Sequence, residues 1–457
     1  MLSVKERLKS LKKTVRAERD KERSYSPEML LALGFLGFIV AGTVLLQLPI
    51  AARSGHSIGW FNSLFTATSA VCVTGLVAVD TGTTFSVFGQ IVLLLLIQIG
   101  GLGFMVFATR ALSMLGRRVS LKGRMLIRET MNSDSMTDLG GLSRRYLKLA
   151  LGIEAVGAAV LAIRFIPIHG PRRGLWFSIF HAVSAFCNAG FDLFGDFSSL
   201  TQFSGDPLVL LTVSALIVLG GLGFSVIVET LRNRNGFRAL SLHTRIVLVL
   251  SPALIVAGTI FYLLAERGHI DLLNAFFQSV TMRTAGFNSV DLGAIRDGSK
   301  LFSSMLMVIG ASTASTGGGM KTTTVAVLAA LIFSVIKGEH EVNFFKRRLS
   351  TDTVHRALVI VVMYVVLLGV STMLITLIED GRFDLDNILF ECASAMGTVG
   401  VSSIGTPHLS ILSRALLIPM MFLGRLGPLS MAMALANRQG RPTIRAAKYP
   451  EEKIMIG

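Results

Sequence analysis

The sequence predicts an all-α integral membrane protein: four fused helix–pore loop–helix repeats, with eight transmembrane helices and four re-entrant pore helices around one central pore. Three observations lead there. The 457 residues are 52% hydrophobic and 16% charged, with a mean hydropathy of +0.64, far from a soluble domain. One short pattern, a Phe with a Gly ten residues later, recurs to give four copies in all. Each copy lies between two apolar runs long enough to cross ~30 Å of hydrocarbon as helices.

Taken in order, residues 1–28 are a basic N-terminal segment, expected in the cytoplasm. The apolar run 29–50 follows; so long a polar lead is unlike the short n-region of a signal peptide, and the run is expected to be retained. Repeat 1 (29–114) pairs 29–50 with 86–110, and repeat 2 (115–231), which opens on a basic cytoplasmic linker, pairs 146–166 with 208–231. Repeat 3 (232–336) pairs 246–265 with 301–333, repeat 4 (337–436) pairs 357–378 with 411–436, and 437–457 is a cytoplasmic C-terminal tail.

Charge orients the scheme. Of the 44 lysines and arginines, 31 fall in 1–28, 115–148, 232–245, 337–356 and 437–457, and ten on the other side. The crowded side is expected to be cytoplasmic, so both termini lie inside and the protein sits in the plasma membrane as a multi-pass chain. The net charge of +16 is then a topology signal; basic loops that also dock a partner are the other reading.

The four copies read FTATSAVCVTGL, FHAVSAFCNAGF, FFQSVTMRTAGF and FECASAMGTVGV. Phe65, Phe180, Phe276 and Phe390 stand ten residues before Gly75, Gly190, Gly286 and Gly400; Ser69, Ser184 and Ser394 stand six before, with Val280 the exception. Non-helical backbone at membrane depth is tolerated only where it is buried in protein or lines a wet cavity, so four such segments point to one shared cavity. A short helix from Phe to Gly directs the negative end of its dipole at that cavity, which favours a cation. Glycine at the tip permits close approach to a common axis. Carbonyls of Val73 and Thr74, Asn188 and Ala189, Thr284 and Ala285, Thr398 and Val399 can then replace an ion's water shell, and the variety of side chains at these positions argues for backbone coordination. Glycines serving helix-packing seams are the bland reading, but such seams need no Phe and Ser at fixed offsets.

The second helices carry a further repeat: IGGLGF (99–104), LGGLGF (219–224), IGASTA (309–314) and LGRLGP (423–428), whose first glycines lie 24 to 30 residues after the loop glycines. Arg425 holds the place of Gly101, Gly221 and Ala311. A charge in mid-helix costs about 2.5–3.5 kcal/mol or more unless it meets water or a partner. It is expected below the tips, facing the cavity or the 310–324 segment, with a hydrogen bond to loop carbonyls as the structural alternative. Arg283 is expected to tie down carbonyls at the tips from behind. Asp80, Asp192 and Asp291 either concentrate cations at the mouth or are solvated loop carboxylates. Glu154 is a functional candidate or a buried, paired or protonated carboxyl. The eight histidines show no metal-ligand spacing, and Cys72, Cys187 and Cys392 make no disulfide framework.

The stretch GASTASTGGGMKTTT, 310–324, interrupts the third repeat's second helix with residues of poor helix propensity. It is a mobile barrier or a static kink. A phosphate-binding loop is excluded because Met320 precedes Lys321 and no strand leads into it.

VTGL, NAGF, TAGFNSVD and TVGV at the loop ends, STGGGMK at 315–321 and GRLGPL at 424–429 resemble the Trk/Ktr/HKT superfamily of potassium transporters over essentially the whole chain. The short N-terminal lead and the KYPEEKIMIG ending look like the Ktr-type membrane subunit. The resemblance implies a potassium filter of Val73, Thr74, Gly75, Asn188, Ala189, Gly190, Thr284, Ala285, Gly286, Thr398, Val399 and Gly400. Gly75 is the position where sodium-selective plant relatives carry Ser. It also implies an intramembrane gate at Gly310, Ala311, Ser312, Thr313, Ala314, Ser315, Thr316, Gly317, Gly318, Gly319 and Lys321, working with Arg425. Implied partners are a second copy, giving a homodimer, and a cytosolic ring of RCK-type subunits that bind adenine nucleotides. Potassium (K+) is the implied transported ion and sodium (Na+) an activator or coupled ion; no organic cofactor, catalytic site or nucleic acid is expected. A secondary transporter of another cation or small solute is the rival class, since broken helices also mark transporter sites. A membrane enzyme lacks any recurring catalytic constellation.

Overall fold

The computed structural model describes residues 27–103, 139–233, 236–339, 341–345 and 347–436. The expected N-terminal segment up to residue 26, the linker from 115 to 138 and the tail 437–457 lie outside the described residues. Among the described residues are sixteen α-helices and one two-stranded hairpin.

Each Phe-to-Gly copy sits in the same local order. In the first, α1 (Pro27–Gln47) leads to the short helix α2 (Trp60–Cys72), a one-turn α3 (Thr81–Thr84) and α4 (Val87–Leu102). In the second, α5 (Leu139–His169) precedes α6 (Pro171–Phe186), α7 (Pro207–Leu222) and α8 (Phe224–Arg232). In the third, α9 (Leu242–Ala265) precedes α10 (Leu272–Thr281), α11 (Asp297–Val308) and α12 (Thr322–Ile336). After strands β1 (Asn343–Phe344) and β2 (Arg347–Arg348), the fourth runs through α13 (Thr351–Glu379), α14 (Leu385–Gly397), α15 (Ile411–Leu426) and α16 (Pro428–Ala436).

Among the described residues four helices, α1, α5, α9 and α13, are long and apolar enough to cross a bilayer unbroken. The expected interruption of the third repeat's second helix is present, and the expectation of continuous second helices is corrected in the second and fourth copies, where that helix is also broken. The 208–231 run bends by 93° between α7 and α8 at Gly223, whose φ is +93°. Gly103 and Gly427 end α4 and α15 with φ of +79° and +86°, and residues 309–321 separate α11 from α12. Positive φ is a conformation glycine adopts at little cost, which explains why the fifth residue of IGGLGF, LGGLGF and LGRLGP, a glycine in all three, ends its helix. Start signals are equally local: Ser86, Asp206 and Ser410 cap α4, α7 and α15, each accepting from a backbone N–H in the first turn.

Packing follows a cycle. Helix α2 packs on α15, α6 on α4, α10 on α7 and α14 on α11, so each short helix lies against the second helix of the preceding copy, and the first copy against the last. The short helices form the core, with Phe65, Phe180 and Phe390 fully buried. Outer faces stay apolar and exposed, as at Val362 (59%), Val366 (54%) and Met373 (61%) on α13, a belt suited to lipid rather than water.

Candidate functional site: a ring of four glycine-tipped turns

The four short helices begin four to nine residues before their Phe and end in the same unusual turn. Val73, Asn188, Thr284 and Thr398, two residues before each glycine, have φ of +56°, +58°, +71° and +50°. The glycines follow at +94°, +69°, +88° and +100°. A β-branched residue in the left-handed region costs about 1–3 kcal/mol and persists only where surrounding structure imposes it.

Hydrogen bonds impose it. The N–H of Thr74, Ala189 and Val399 reaches back to the carbonyl of Ser69, Ser184 and Ser394, at 2.8 Å in all three. The hydroxyls of Ser69 and Ser394 accept from the N–H of Gly75 and Gly400 at 3.0 Å, and Ser184 instead donates to the carbonyl of Phe191. Where Val280 replaces serine, Thr281 donates its hydroxyl to Phe287, the equivalent carbonyl. The repeated Ser and its single exception thus serve one purpose, fastening the turn to its helix.

The tips meet. A Cβ on Gly75 would stand 2.5 Å from the Ala189 carbonyl oxygen, and one on Gly190 would stand 2.8 Å from that of Ala285. Cβ atoms on Gly286 and Gly400 would collide with the carbonyls of Val399 and Thr74. Each glycine therefore faces the carbonyl before the next one, and the fourth closes on the first. All eight residues preceding these glycines are fully buried. Among the described residues, their carbonyls accept no hydrogen bond. Buried carbonyls are rarely left without a partner, so the four oxygens that the glycines bring together, of Thr74, Ala189, Ala285 and Val399, are equipped to coordinate a cation.

On one side the ring floors a cavity of about 380 Å³ that Asp80, Asp192, Asp291 and His408 also line. The acids serve local structure there. Asp80 accepts from the N–H and hydroxyl of Thr83 and from the N–H of Phe197, joining the first two copies; Asp291 accepts from Gly293 and Asp192 from Phe194.

On the other side lies the 309–321 segment. It is more than a helix interruption: its N–H groups bond the broken ends of neighbouring helices, Ser312 to Gly221, Thr316 to Gly220 and Gly319 to Gly424, while Gly310 bonds Met320 across its own neck. Ser312 donates its hydroxyl to the Leu222 carbonyl, and Phe224 donates its N–H to Ala314. Gly317 and Gly318 press on the turns themselves, since Cβ atoms there would run into the hydroxyls of Thr284 and Thr398. Lys321 folds back to donate to the carbonyls of Gly317 (2.9 Å) and Gly318 (3.5 Å). Arg425 donates to the carbonyls of Thr316, Gly100 and Gly101, joining this segment to the end of α4. Both cations, with Gly317, line a second cavity of about 300 Å³. Arg425 thus lines a cavity and bonds loop carbonyls at once.

Arg283 is a correction. Its Nη1 donates to the Ser251 carbonyl on α9 at 3.2 Å and not to carbonyls of the ring, because α10 packs on α9 and that face receives the side chain. Glu154 is buried and accepts from Gln98 Nε2 at 2.9 and 3.1 Å, behind Cys187. The three cysteines are free. Among the described residues no group of His, Cys, Asp and Glu could hold a metal ion. Sequence reasoning missed three buried supports of the turns: His181, which accepts from the Leu193 N–H, Glu391, which accepts from the Thr406 hydroxyl, and Tyr364, which donates to the Met396 carbonyl. His181 and Glu391 both directly follow the repeated Phe, a shared place that could have signalled them.

A family model described as "TrkH: Cation transport protein" matches residues 9–441. The chain is 40% identical over 445 residues to Ktr system potassium uptake protein B of Bacillus subtilis, covering 95% of this chain and 97% of that one. It is 37% identical over 455 residues to the potassium/sodium uptake protein NtpJ of Enterococcus hirae, covering 97% and 100%. Among solved structures, the potassium transporter TrkH from Vibrio parahaemolyticus aligns with a TM-score of 0.67 at 16% identity, over 88% of this chain and 84% of that one, a likeness of fold.

Proposed function

The chain belongs to the TrkH family of cation transport proteins, and from that premise we propose that it carries out channel-like potassium uptake across the plasma membrane. The observation that carries this reading is the closed ring in which four glycines meet the buried carbonyls of Thr74, Ala189, Ala285 and Val399, which have no hydrogen-bond partner among the described residues. Val73 to Gly75, Asn188 to Gly190, Thr284 to Gly286 and Thr398 to Gly400 are the selectivity filter, one strand from each of four fused repeats around the pore. A dehydrated potassium ion exchanges its water shell for these oxygens. The opposed left-handed turns that Ser69, Ser394 and Thr281 fasten hold the carbonyls ready, so little ordering remains when an ion enters.

Residues 310–321 are the gate, with Lys321 and Arg425 as cations beneath the filter that oppose passage until the segment withdraws. Their hydrogen bonds to the ends of α4, α7 and α15 support this role, because moving those helices would pull the segment. The relatives named as parts of a Ktr system support work alongside other subunits, which we take to be a cytosolic RCK-type regulatory ring and a second copy of this chain. The basic terminal segments support a cytoplasmic location for both termini. The relative named for potassium and sodium uptake supports sodium as a second ion, coupled or activating. Secondary transport of another solute is the competing class.

Uptake by the purified chain in liposomes tests the proposal. Rubidium or potassium tracer should accumulate down a potassium gradient, while a neutral amino acid should not. Accumulation of the amino acid with no potassium flux would overturn it.

A further inference from the structure

Resting on the filter-and-gate reading, we infer that Asn188 is a latch through which the gate sets the geometry, and hence the ion selectivity, of the filter. Asn188 stands two residues before Gly190, in the place held elsewhere by Val73, Thr284 and Thr398, and it alone among the four carries an amide. Its side chain lies 3.3 Å from the hydroxyl of Thr284 in the next filter strand and 3.2 Å from the hydroxyl of Thr316 in the gate. Both contacts survive either orientation of the amide. With Nδ2 toward Thr316 its two N–H groups are shared among the Thr316 hydroxyl and the carbonyls of Phe186 and Ile217, and Oδ1 accepts from Thr284.

Thr316 is the other half. Fully buried, it donates its hydroxyl to the Phe186 carbonyl at 3.0 Å and its N–H to Gly220, and its own carbonyl accepts from Arg425. One residue of the gate thereby touches a filter strand, α7 and α15. Withdrawing the gate removes the Thr316 hydroxyl both from Asn188 and from the Phe186 carbonyl it shares with that amide, so the amide redistributes its hydrogen bonds among Phe186, Ile217 and Thr284 or admits water. In a buried polar cluster each such bond depends on its neighbours, so the hold of Asn188 on Thr284, and with it the fit of the second and third filter strands, changes. Selectivity in the closed-gate arrangement and in the open one therefore differs.

A double-mutant cycle on the full chain in liposomes tests this, with the potassium-to-sodium flux ratio as readout. Thr316→Val keeps shape and removes the hydroxyl; Asn188→Leu keeps approximate volume and removes the amide. Thr316→Val, though outside the filter, should lower the ratio several-fold, Asn188→Leu should lower it as well, and the double variant should fall no further, departing from additivity by about threefold or more. Thr316→Ser retains the hydroxyl and should match wild type. Asn188→Ala replaces the leucine variant if that one fails to elute as folded protein. An unchanged ratio in Thr316→Val, independent multiplication of the two effects, or a Thr316→Ser loss equal to that of Thr316→Val overturns the latch. Gly190→Ser in the same assay separates the readings. A collapsed ratio there with an additive cycle removes the latch alone, whereas an unmoved ratio removes the filter itself and the latch with it.

Discussion

Gly400 stands against Gly75: a Cβ on Gly400 would lie 2.7 Å from the Gly75 α-carbon, so the last glycine-tipped turn closes on the first. A closed ring of backbone leaves no slack, because a methyl group at one tip must displace the neighbouring strand. Gly75→Ser, Gly190→Ser, Gly286→Ser and Gly400→Ser should each let sodium compete with potassium, with the left-handed backbone adding about 1–2 kcal/mol of destabilisation. Competition assays in liposomes check this; unchanged preference in all four variants would sink the shared-filter reading.

The serine behind the turn makes a separate prediction. Ser69→Ala strips the Gly75 N–H of its acceptor inside the core, and Ser394→Ala does the same to Gly400. Each should lower stability by about 1–3 kcal/mol and blunt selectivity. Val280→Ser should be near neutral because Thr281 already holds the third turn. Thermal unfolding in detergent, alongside flux ratios, measures both effects, and stability equal to wild type in Ser69→Ala would contradict the fastening role.

Arg425 spans two elements with one planar group, reaching Thr316 on one side and Gly100 and Gly101 on the other. Arg425→Gln removes the charge and one side of that bridge, so uptake at low potassium should rise. Arg425→Lys restores charge without the fork and should not recover wild-type basal flux. If lysine behaves as wild type, charge alone explains Arg425.

For the gate, Gly318→Ala is a sharper probe than a large deletion. The added methyl would strike the Thr398 hydroxyl, pushing the segment off the filter. Basal potassium flux should increase, as it should on deleting Ala311 to Thr316, whereas Gly152→Ala, with open space at its Cβ, should change nothing. Tightly closed variants in both cases would make the segment a hinge, with the barrier elsewhere.

Much was legible in the chain because it rests on residues near one another in sequence. Repeating Phe, Ser and Gly at fixed spacing marks four turns, since a turn and its helix are one local unit. Apolar length marks α1, α5, α9 and α13 as spans, since crossing a bilayer needs only a run of apolar residues. The glycines of IGGLGF, LGGLGF and LGRLGP were visible too, but their meaning was not: the same glycines suit a packing seam or a break, and only the positive φ at Gly103, Gly223 and Gly427 decides.

What the tertiary structure alone decided concerns partners distant in sequence. That Gly75 faces Ala189, that Arg283 turns to Ser251, and that Thr316 joins Asn188 to Arg425 follow from how helices pack around a common centre. No periodicity encodes them, because a side chain's partner across the fold depends on the crossing of two helices and on which hydrogen-bonding groups each leaves unsatisfied. Sequence determined that four glycine-tipped turns exist. Packing decided that they form a ring, and that the 309–321 segment lies against its underside.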